Sequence, residues 1–165
     1  MAVTDRELAR WPLGGTTYRL RRAERTDVAA IVDLIVADQI GATRDGGADL
    51  APYRRAFEAI NADPAQLLLV AVADERVVGT MQLTVIPGMA RRGALRAQIE
   101  AVRVATDHRG NGLGGAMMRW AIEEARRRRC ALVQLTTDKR RTDAHRFYAR
   151  LGFTASHEGM KLRLC

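Results

Sequence analysis

The segment Arg109-Gly110-Asn111-Gly112-Leu113-Gly114-Gly115 has the residue types best suited to chemistry in this chain. It stands between a strand-like run ending at Val104 and a helical stripe beginning at Leu113. Glycines let a bulky anion approach the backbone. The first turn of the helix that follows offers unpaired N–H groups and the positive end of its dipole. A pyrophosphate fits such a cradle; a glycine-rich turn with no ligand is the alternative. Gly110, Gly112 and Gly115 also satisfy G-x-G-x-x-G, with Asp138 roughly where a ribose-binding acid would stand. That fingerprint fails on context. Five residues, Ala105 to Arg109, separate Val104 from the first glycine and four of them are polar. Too little chain follows Asp138 to complete a parallel dinucleotide-binding sheet. No Gly-Lys-Ser/Thr follows the glycines, so a P-loop is excluded as well.

The elements that must position this loop can be read from periodicity. Residues 1–15 end in Gly14-Gly15 and read as a leader, and Thr17 to Ala23 suits a strand. Thr26 or Asp27 can cap a helix carrying Val28, Ile31, Val32, Ile35 and Val36 on one stripe. Gly41 through Gly47 break that helix, and a weaker one covers Pro52 to Ile60. Gln66 to Ala73 is a buried strand, turned back by Asp74-Glu75-Arg76 into Val77 to Ile86. A basic loop runs from Pro87 to Arg96. In the strand Ala97 to Ala105, Ile99 and Ala101 share one face while Val102 and Val104 share the other. This phase slip predicts a β-bulge near Ala101-Val102. Leu113, Ala116, Met117, Trp120 and Ala121 form the cleanest helical stripe. Arg126 to Arg129 fall in its last turn, where cations complement the dipole; a solvated basic face is the alternative. Ala131 to Thr136 is a strand. Thr142 caps a short helix closed by Gly152, and one or two strands follow from Phe153. The order β-α-α-β-β-β-α-β-α-β describes an α/β (α+β) domain with a mixed sheet.

Composition bounds the remaining possibilities. The 165 residues carry 27 Lys+Arg against 19 Asp+Glu, a net charge of +8, and only Lys139 and Lys161 are lysines. An anionic partner is implied: nucleic acid, a membrane surface or a phosphorylated small molecule. No apolar run reaches the roughly 18–20 residues of a spanning helix, and the acidic N-terminus is unlike a secretory signal. The arginine run has no interleaved aromatics, so nucleic acid is not expected as a partner. Cys130 and Cys165 form neither a disulfide framework nor a zinc site, and two reduced thiols in a cytoplasmic protein are expected. No histidine pair has metal-ligand spacing, and no metal is expected.

Val102-Arg103-Val104 followed by Arg109-Gly110-Asn111-Gly112-Leu113-Gly114 resembles the acetyl-CoA-binding motif, Arg/Gln-x-x-Gly-x-Gly/Ala, of the GCN5-related N-acetyltransferase (GNAT) superfamily. Ala144-His145-Arg146-Phe147-Tyr148-Ala149-Arg150-Leu151-Gly152-Phe153 resembles its second signature, Ala-x-x-x-Tyr-x-x-x-Gly-Phe. One helix and one strand separate the two, as in the family. The resemblance implies an N-acetyltransferase domain over residues 16–165, following a leader over 1–15. It implies a mixed, mostly antiparallel sheet of six or seven strands flanked by about four helices, with a bulged and splayed central strand. Backbone groups of Val102, Arg103 and Val104 would pair with the pantetheine arm. Arg109, Gly110, Asn111, Gly112, Leu113, Gly114 and Gly115 would cradle the pyrophosphate of acetyl-CoA, the expected co-substrate. Arg141 departs from the pattern, because the family often has Asn seven residues before the tyrosine.

The implied reaction is transfer of an acetyl group from the CoA thioester to a primary amine by direct attack in a ternary complex. An amine is mostly ammonium at neutral pH, so a base is useful. The resemblance points to Glu100, ahead of the cofactor segment, with a salt-bridged strand carboxylate as the alternative. Tyr148 would protonate the leaving thiolate; its alternative is a core aromatic beside Ala144, Phe147 and Leu151. His108 reads as an exposed loop residue, His145 as structural or substrate-side, and His157 as bordering the substrate mouth. The segment from Asp138 to Tyr148, with Ser156-His157, resembles the small-molecule branch that includes aminoalkylphosphonate acetylation. The acceptor, a small-molecule or peptide amine, would sit between the first two helices and the Pro87–Arg96 loop. Arg91, Arg92 and Arg96 there could select an acidic amine. A homodimer fits the sequence. A CoA-binding regulatory or partner-binding module without transferase activity is the rival reading.

Overall fold

β3 (Gln66–Ala73) is apolar from Leu67 onward without alternation, which a strand tolerates only when both of its faces are covered. The sheet is arranged around it. A computed structural model describes residues 7–37 and 49–164. Six strands lie in the order β1-β2-β3-β4-β5-β6: β1 (Ala9–Leu13), β2 (Thr16–Arg22), β3, β4 (Arg76–Ile86), β5 (Leu95–Val104) and β6 (Cys130–Leu135). Each neighbouring pair from β1 to β5 is antiparallel. The helices are α1 (Val28–Val36), α2 (Ala51–Ala62), a four-residue turn α3 (Ala90–Gly93), α4 (Leu113–Arg127) and α5 (Thr142–Arg150). The α/β class and the six-stranded sheet agree with expectation. The chain forms two units, one through Gln134 and one from Leu135.

In the first unit, α1 packs on β4 and β5 and α2 on β3, while α4 packs on β1, β4 and β5. Adjacent β4 residues separate the two faces. A Cβ on Gly79 would lie 3.1 Å from the Met117 sulfur of α4, so a larger residue there would require that side chain to shift by a few tenths of an ångström. Thr80, the next residue, lies on the side of α1 and α2. The core on that side joins Val28, Ile31 and Val32 of α1, Phe57 of α2, and Val70 and Val72 of β3. Asp27 anchors the entry to α1. Its carboxylate accepts from Arg21 at 2.6 and 3.0 Å and from the Glu24 amide at 2.7 Å, and it is almost completely buried. The acid expected as an N-cap therefore ties β2 to the helix instead of closing the first turn of α1.

The bulge expected in the fifth strand is present. Ile99 pairs with Leu83 and Val104 with Gly79, so five residues of β4 face six of β5. The register shifts between Thr80 and Gln82, and Ala101 adopts a left-handed φ of 52°. One inserted residue lets Ile99 and Val104 meet the same face despite their odd spacing.

Several expectations change. Residues 9–13, placed in a leader, form the edge strand β1, where Pro12 lacks only an outward hydrogen bond. The β3–β4 turn has two residues, Asp74 and Glu75, both with positive φ, as in a type I′ hairpin. Thr142 is the first residue of α5 and makes no cap, because Arg141 occupies that position. Residues 153–164 contain no strand, so the closing strands expected from Phe153 are not formed. The expected break at Gly41 to Gly47 lies outside the described residues, as does Cys165.

The arginine run is tied to its own helix. Arg126 pairs with Glu123, while Arg127 and Arg128 reach Glu124 at 2.6 and 2.7 Å. Arg127 also lies 5.8 Å over the Trp120 ring. Burial pushes the Glu124 carboxyl up, but the Arg128 hydrogen bond and the two guanidinium charges outweigh it and hold the group below its ordinary value of 4.5. The folded state therefore binds this proton more weakly than the unfolded chain. The contribution is complete above pH 4.5 and is lost as pH falls through the lowered folded value. Glu124→Gln is expected to cost about 1 kcal/mol at pH 7 and to flatten the acid side of the stability–pH curve. Urea titrations across that range measure both effects.

Candidate active site

The glycine loop is held by groups from elements far apart in sequence. After β5, Ala105 donates its amide to Val78 O at 2.8 Å and enters a 3-10 turn, Thr106–His108. Asp107 of that turn pairs with Arg76 at the β3–β4 hairpin, whose hydrogen bond lowers the Asp107 pKa. His108 is not the exposed residue expected. Its side chain is 15% accessible, and its Nδ1 lies 2.9 Å from the hydroxyl of Tyr18, a β2 residue with no accessible surface. The two rings meet edge to face at 5.6 Å. Asn111 donates to the same hydroxyl at 3.5 Å and packs beside Gly14, whose built Cβ would lie 3.3 Å from the Asn111 side chain. One buried phenol thus holds two residues of the loop. Sequence reasoning missed Tyr18, because nothing in its spacing links it to a histidine 90 positions away.

The loop itself is open. Gly110 and Gly112 have φ of 80° and 85°, and a Cβ built on either meets nothing within 4 Å. Gly112 is the left-handed N-cap of α4. The first intrahelical amide bond is donated by Ala116 to Gly112 O, so the amides of Leu113, Gly114 and Gly115 have no partner within the helix. Unpartnered amides, open glycines and the positive end of a 15-residue helix suit a bulky anion such as a pyrophosphate. Among the expected cofactor residues, Leu113 is buried in the core while Arg109, Gly110, Asn111 and Gly112 are exposed. Arg109 Nε donates to Val104 O at 3.0 Å, and Arg103 donates to Val102 O at 2.9 Å.

Glu100 is exposed on β5 and pairs across the ladder with Gln82. Directly opposed residues share a sheet face, which places Glu100 on the side of α1 and α2. Gln82 and the bulge residue Ala101 line a cavity of about 170 Å³ under those helices. Its wall is mostly hydrocarbon, with Ile31, Val32, Phe57 and Ile60 among the lining residues. No residue of the Pro87–Arg96 loop lines this cavity. Arg91 and Arg92 are exposed in left-handed conformations within α3.

The second unit holds Tyr148, half-buried on α5. The amides of Gly152 and Phe153 donate to Ala149 O at 3.0 Å and Tyr148 O at 3.1 Å, the two bonds of a Schellman closure with Gly152 at φ 91°. The Tyr148 and Phe153 rings meet at 5.9 Å, and Phe147 lies 5.2 Å from Tyr148. The Tyr-x-x-x-Gly-Phe spacing therefore has a mechanical basis, since it ends the helix and locks the tyrosine against the phenylalanine. Asp138 accepts a fork from Arg140, whose hydrogen bonds hold its carboxyl far below the carboxylate range. His145 Nε2 stands 3.1 Å from Asp138 O. His157 is exposed beside the Ser156 hydroxyl.

Residues 35–153 match the model of the Acetyltransferase (GNAT) family. The chain belongs to this family. Over 109 residues it is 33% identical to aminoalkylphosphonate N-acetyltransferase of Salmonella typhimurium, covering 66% of this chain and 70% of that protein. A Bacillus halodurans protein solved as a transcriptional regulator is 42% identical with a TM-score of 0.86, covering 89% of this chain and 99% of its own. A predicted acetyltransferase of Clostridium acetobutylicum, crystallised with acetyl-CoA, shares the fold at 20% identity and a TM-score of 0.72, over 89% of this chain and 96% of its own. The GNAT chain described here is an acetyltransferase by family. Among its described residues no helix is long and apolar enough to cross a membrane.

Removing the Tyr18 hydroxyl tests what holds the loop. Tyr18→Phe keeps the ring but loses the contacts to His108 and Asn111. It is expected to cost about 1 kcal/mol of stability and to raise hydrogen exchange at residues 109–112 several-fold. Unchanged protection there would show that the loop is held without the phenol.

Proposed function

We propose that this acetyltransferase moves an acetyl group from acetyl-CoA to a primary amine by direct attack in a ternary complex. The observation that carries the reading is the bulge at Ala101. There a carboxylate, Glu100, and the cavity lining meet one strand that runs on, through a short turn, to an open anion cradle. Acetyl-CoA supplies the activated thioester. Gly110 to Gly115, with the free amides at the start of α4, hold its pyrophosphate. Backbone groups of Val102, Arg103 and Val104 hold the pantetheine arm. The carbonyls of Val102 and Val104 already accept from Arg103 and Arg109, so on this reading the amides of that stretch are the main donors.

Glu100 takes the ammonium proton through water and leaves a neutral amine to attack. A β5 amide near the bulge stabilises the charge that develops on the carbonyl oxygen, an interaction typically worth about 2.7–4 kcal/mol per donor. Tyr148 gives its phenolic proton to the leaving thiolate. Its assignment rests on the signature of α5, and a phenol remains protonated at neutral pH until a stronger base forms beside it.

The test is thiol release from acetyl-CoA against a panel of primary amines, with thermal stabilisation by CoA as the companion measurement. Amine-dependent release is expected. Tyr148→Phe should lower kcat about 100-fold with little change in stabilisation by CoA, and Glu100→Gln should remove the acidic limb of the pH–rate profile. Stabilisation by CoA without release toward any amine would leave a CoA-binding module in place of a transferase. An intact acidic limb in Glu100→Gln would remove Glu100 from the mechanism.

A further inference from the structure

We propose that the acceptor is a primary amine with an apolar body, an alkylamine or arylalkylamine, whose hydrocarbon part fills the cavity beneath α1 and α2. The inference rests on the transferase reading above and names the substrate class of that site. Its first support is the wall. Of the charged residues described, none lines the cavity, so an anionic amine would lose its hydration there without gaining a counter-charge. Arg91, Arg92 and Arg96, the cations that suggested an acidic acceptor, stand outside it.

The second support is the state of its polar groups. Thr80 Oγ1 donates to Leu69 O at 3.0 Å, and Gln82 Nε2 donates to Gln66 Oε1 at 3.0 Å. Thr80 spends its hydroxyl hydrogen on the fold and Gln82 one of its two amide hydrogens, so these side chains leave a single neutral N–H, too little for a phosphonate or carboxylate. The Gln82 amide oxygen is an acceptor, which suits an amine N–H.

Size and direction give the third support. A dry cavity of about 150 Å³ lined by Leu, Ile and Phe holds benzene, so about 170 Å³ accepts a phenyl ring or a short alkyl chain. Gln82 and the bulge residue Ala101 line it from the sheet, with Glu100 opposite Gln82 just outside the lining, and Ile31, Phe57 and Ile60 line it from the helices. An amine entering with its hydrocarbon under the helices presents its nitrogen toward Glu100. This places the chain apart in specificity from the relative that acetylates aminoalkylphosphonates.

The experiment measures kcat/KM with acetyl-CoA for ethylamine, butylamine, hexylamine, phenethylamine and 2-aminoethylphosphonate. A rise of about fourfold per added methylene is expected until the cavity is filled, with the phosphonate at least 100-fold below phenethylamine. Ala56→Phe, a change at an exposed α2 position that also borders the cavity, should lower the phenethylamine-to-ethylamine ratio at least tenfold. Stabilisation by acetyl-CoA serves as the folding control. The inference alone falls if release proceeds and the phosphonate is the best acceptor, or if Ala56→Phe leaves the ratio unchanged. It also falls if a longer chain helps only on the thioester, as hexanoyl-CoA with ethylamine would reveal. Absence of release with every amine would overturn the transferase reading together with it.

Discussion

One inserted residue in β5 reconciles two requirements that an ordinary strand cannot meet together. Upstream, Ala97 and Ile99 must fill the core beneath α4. Downstream, the chain must bring Val104 to that same core and then leave toward the glycine loop. An unbroken alternation would put Ile99 and Val104 on opposite faces. The left-handed φ at Ala101 absorbs the odd residue, and the ladder with β4 resumes at Arg103 and Thr80. The cost falls on backbone conformation, because an alanine at positive φ is disfavoured. The gain is that Ala101 reaches the cavity wall while Glu100 stays on the same face as Gln82.

The loop that follows depends on a second constraint. A segment with two left-handed glycines and a row of unpartnered amides has little intrinsic order, and its conformational freedom would have to be lost on each binding event. Tyr18, His108, Asn111 and the Arg76–Asp107 pair remove much of that freedom in advance. The helix that presents Tyr148 is arranged in a comparable way. Gly152 supplies the left-handed closure that a side chain would resist, and Phe153 returns onto the tyrosine ring.

Several arginines of the first unit have a plain structural account. Arg19, Arg21, Arg25 and Arg76 pair with Glu75, Asp27, Glu58 and Asp107, and three arginines of the 126–129 run are held by Glu123 and Glu124. Most of these pairs are exposed and contribute little to stability individually; the buried Arg21–Asp27 pair is the exception. These arginines bind the molecule's own carboxylates and give no separate indication of nucleic acid.

Local patterns carried a large part of this molecule. The helical stripe from Leu113 to Ala121, the unbroken apolar run of β3, the phase slip at Ala101-Val102 and the Tyr148…Gly152-Phe153 spacing each report a nearest-neighbour requirement. Periodicity, capping and turn chemistry are written along the chain, so these features were legible. The strand at Ala9–Leu13 was not, because an edge strand needs no apolar face of its own and draws its order from pairing with β2. The Tyr18–His108 contact and the apolar cavity were equally hidden. By itself the sequence determined the family, the order of elements from β2 to α5, the bulge and the glycine loop between strand and helix. Only the tertiary structure decided what holds the glycine loop and which residues line the apolar cavity. Those depend on side chains brought together across β2, β4, β5 and two helices, and no local rule encodes such meetings.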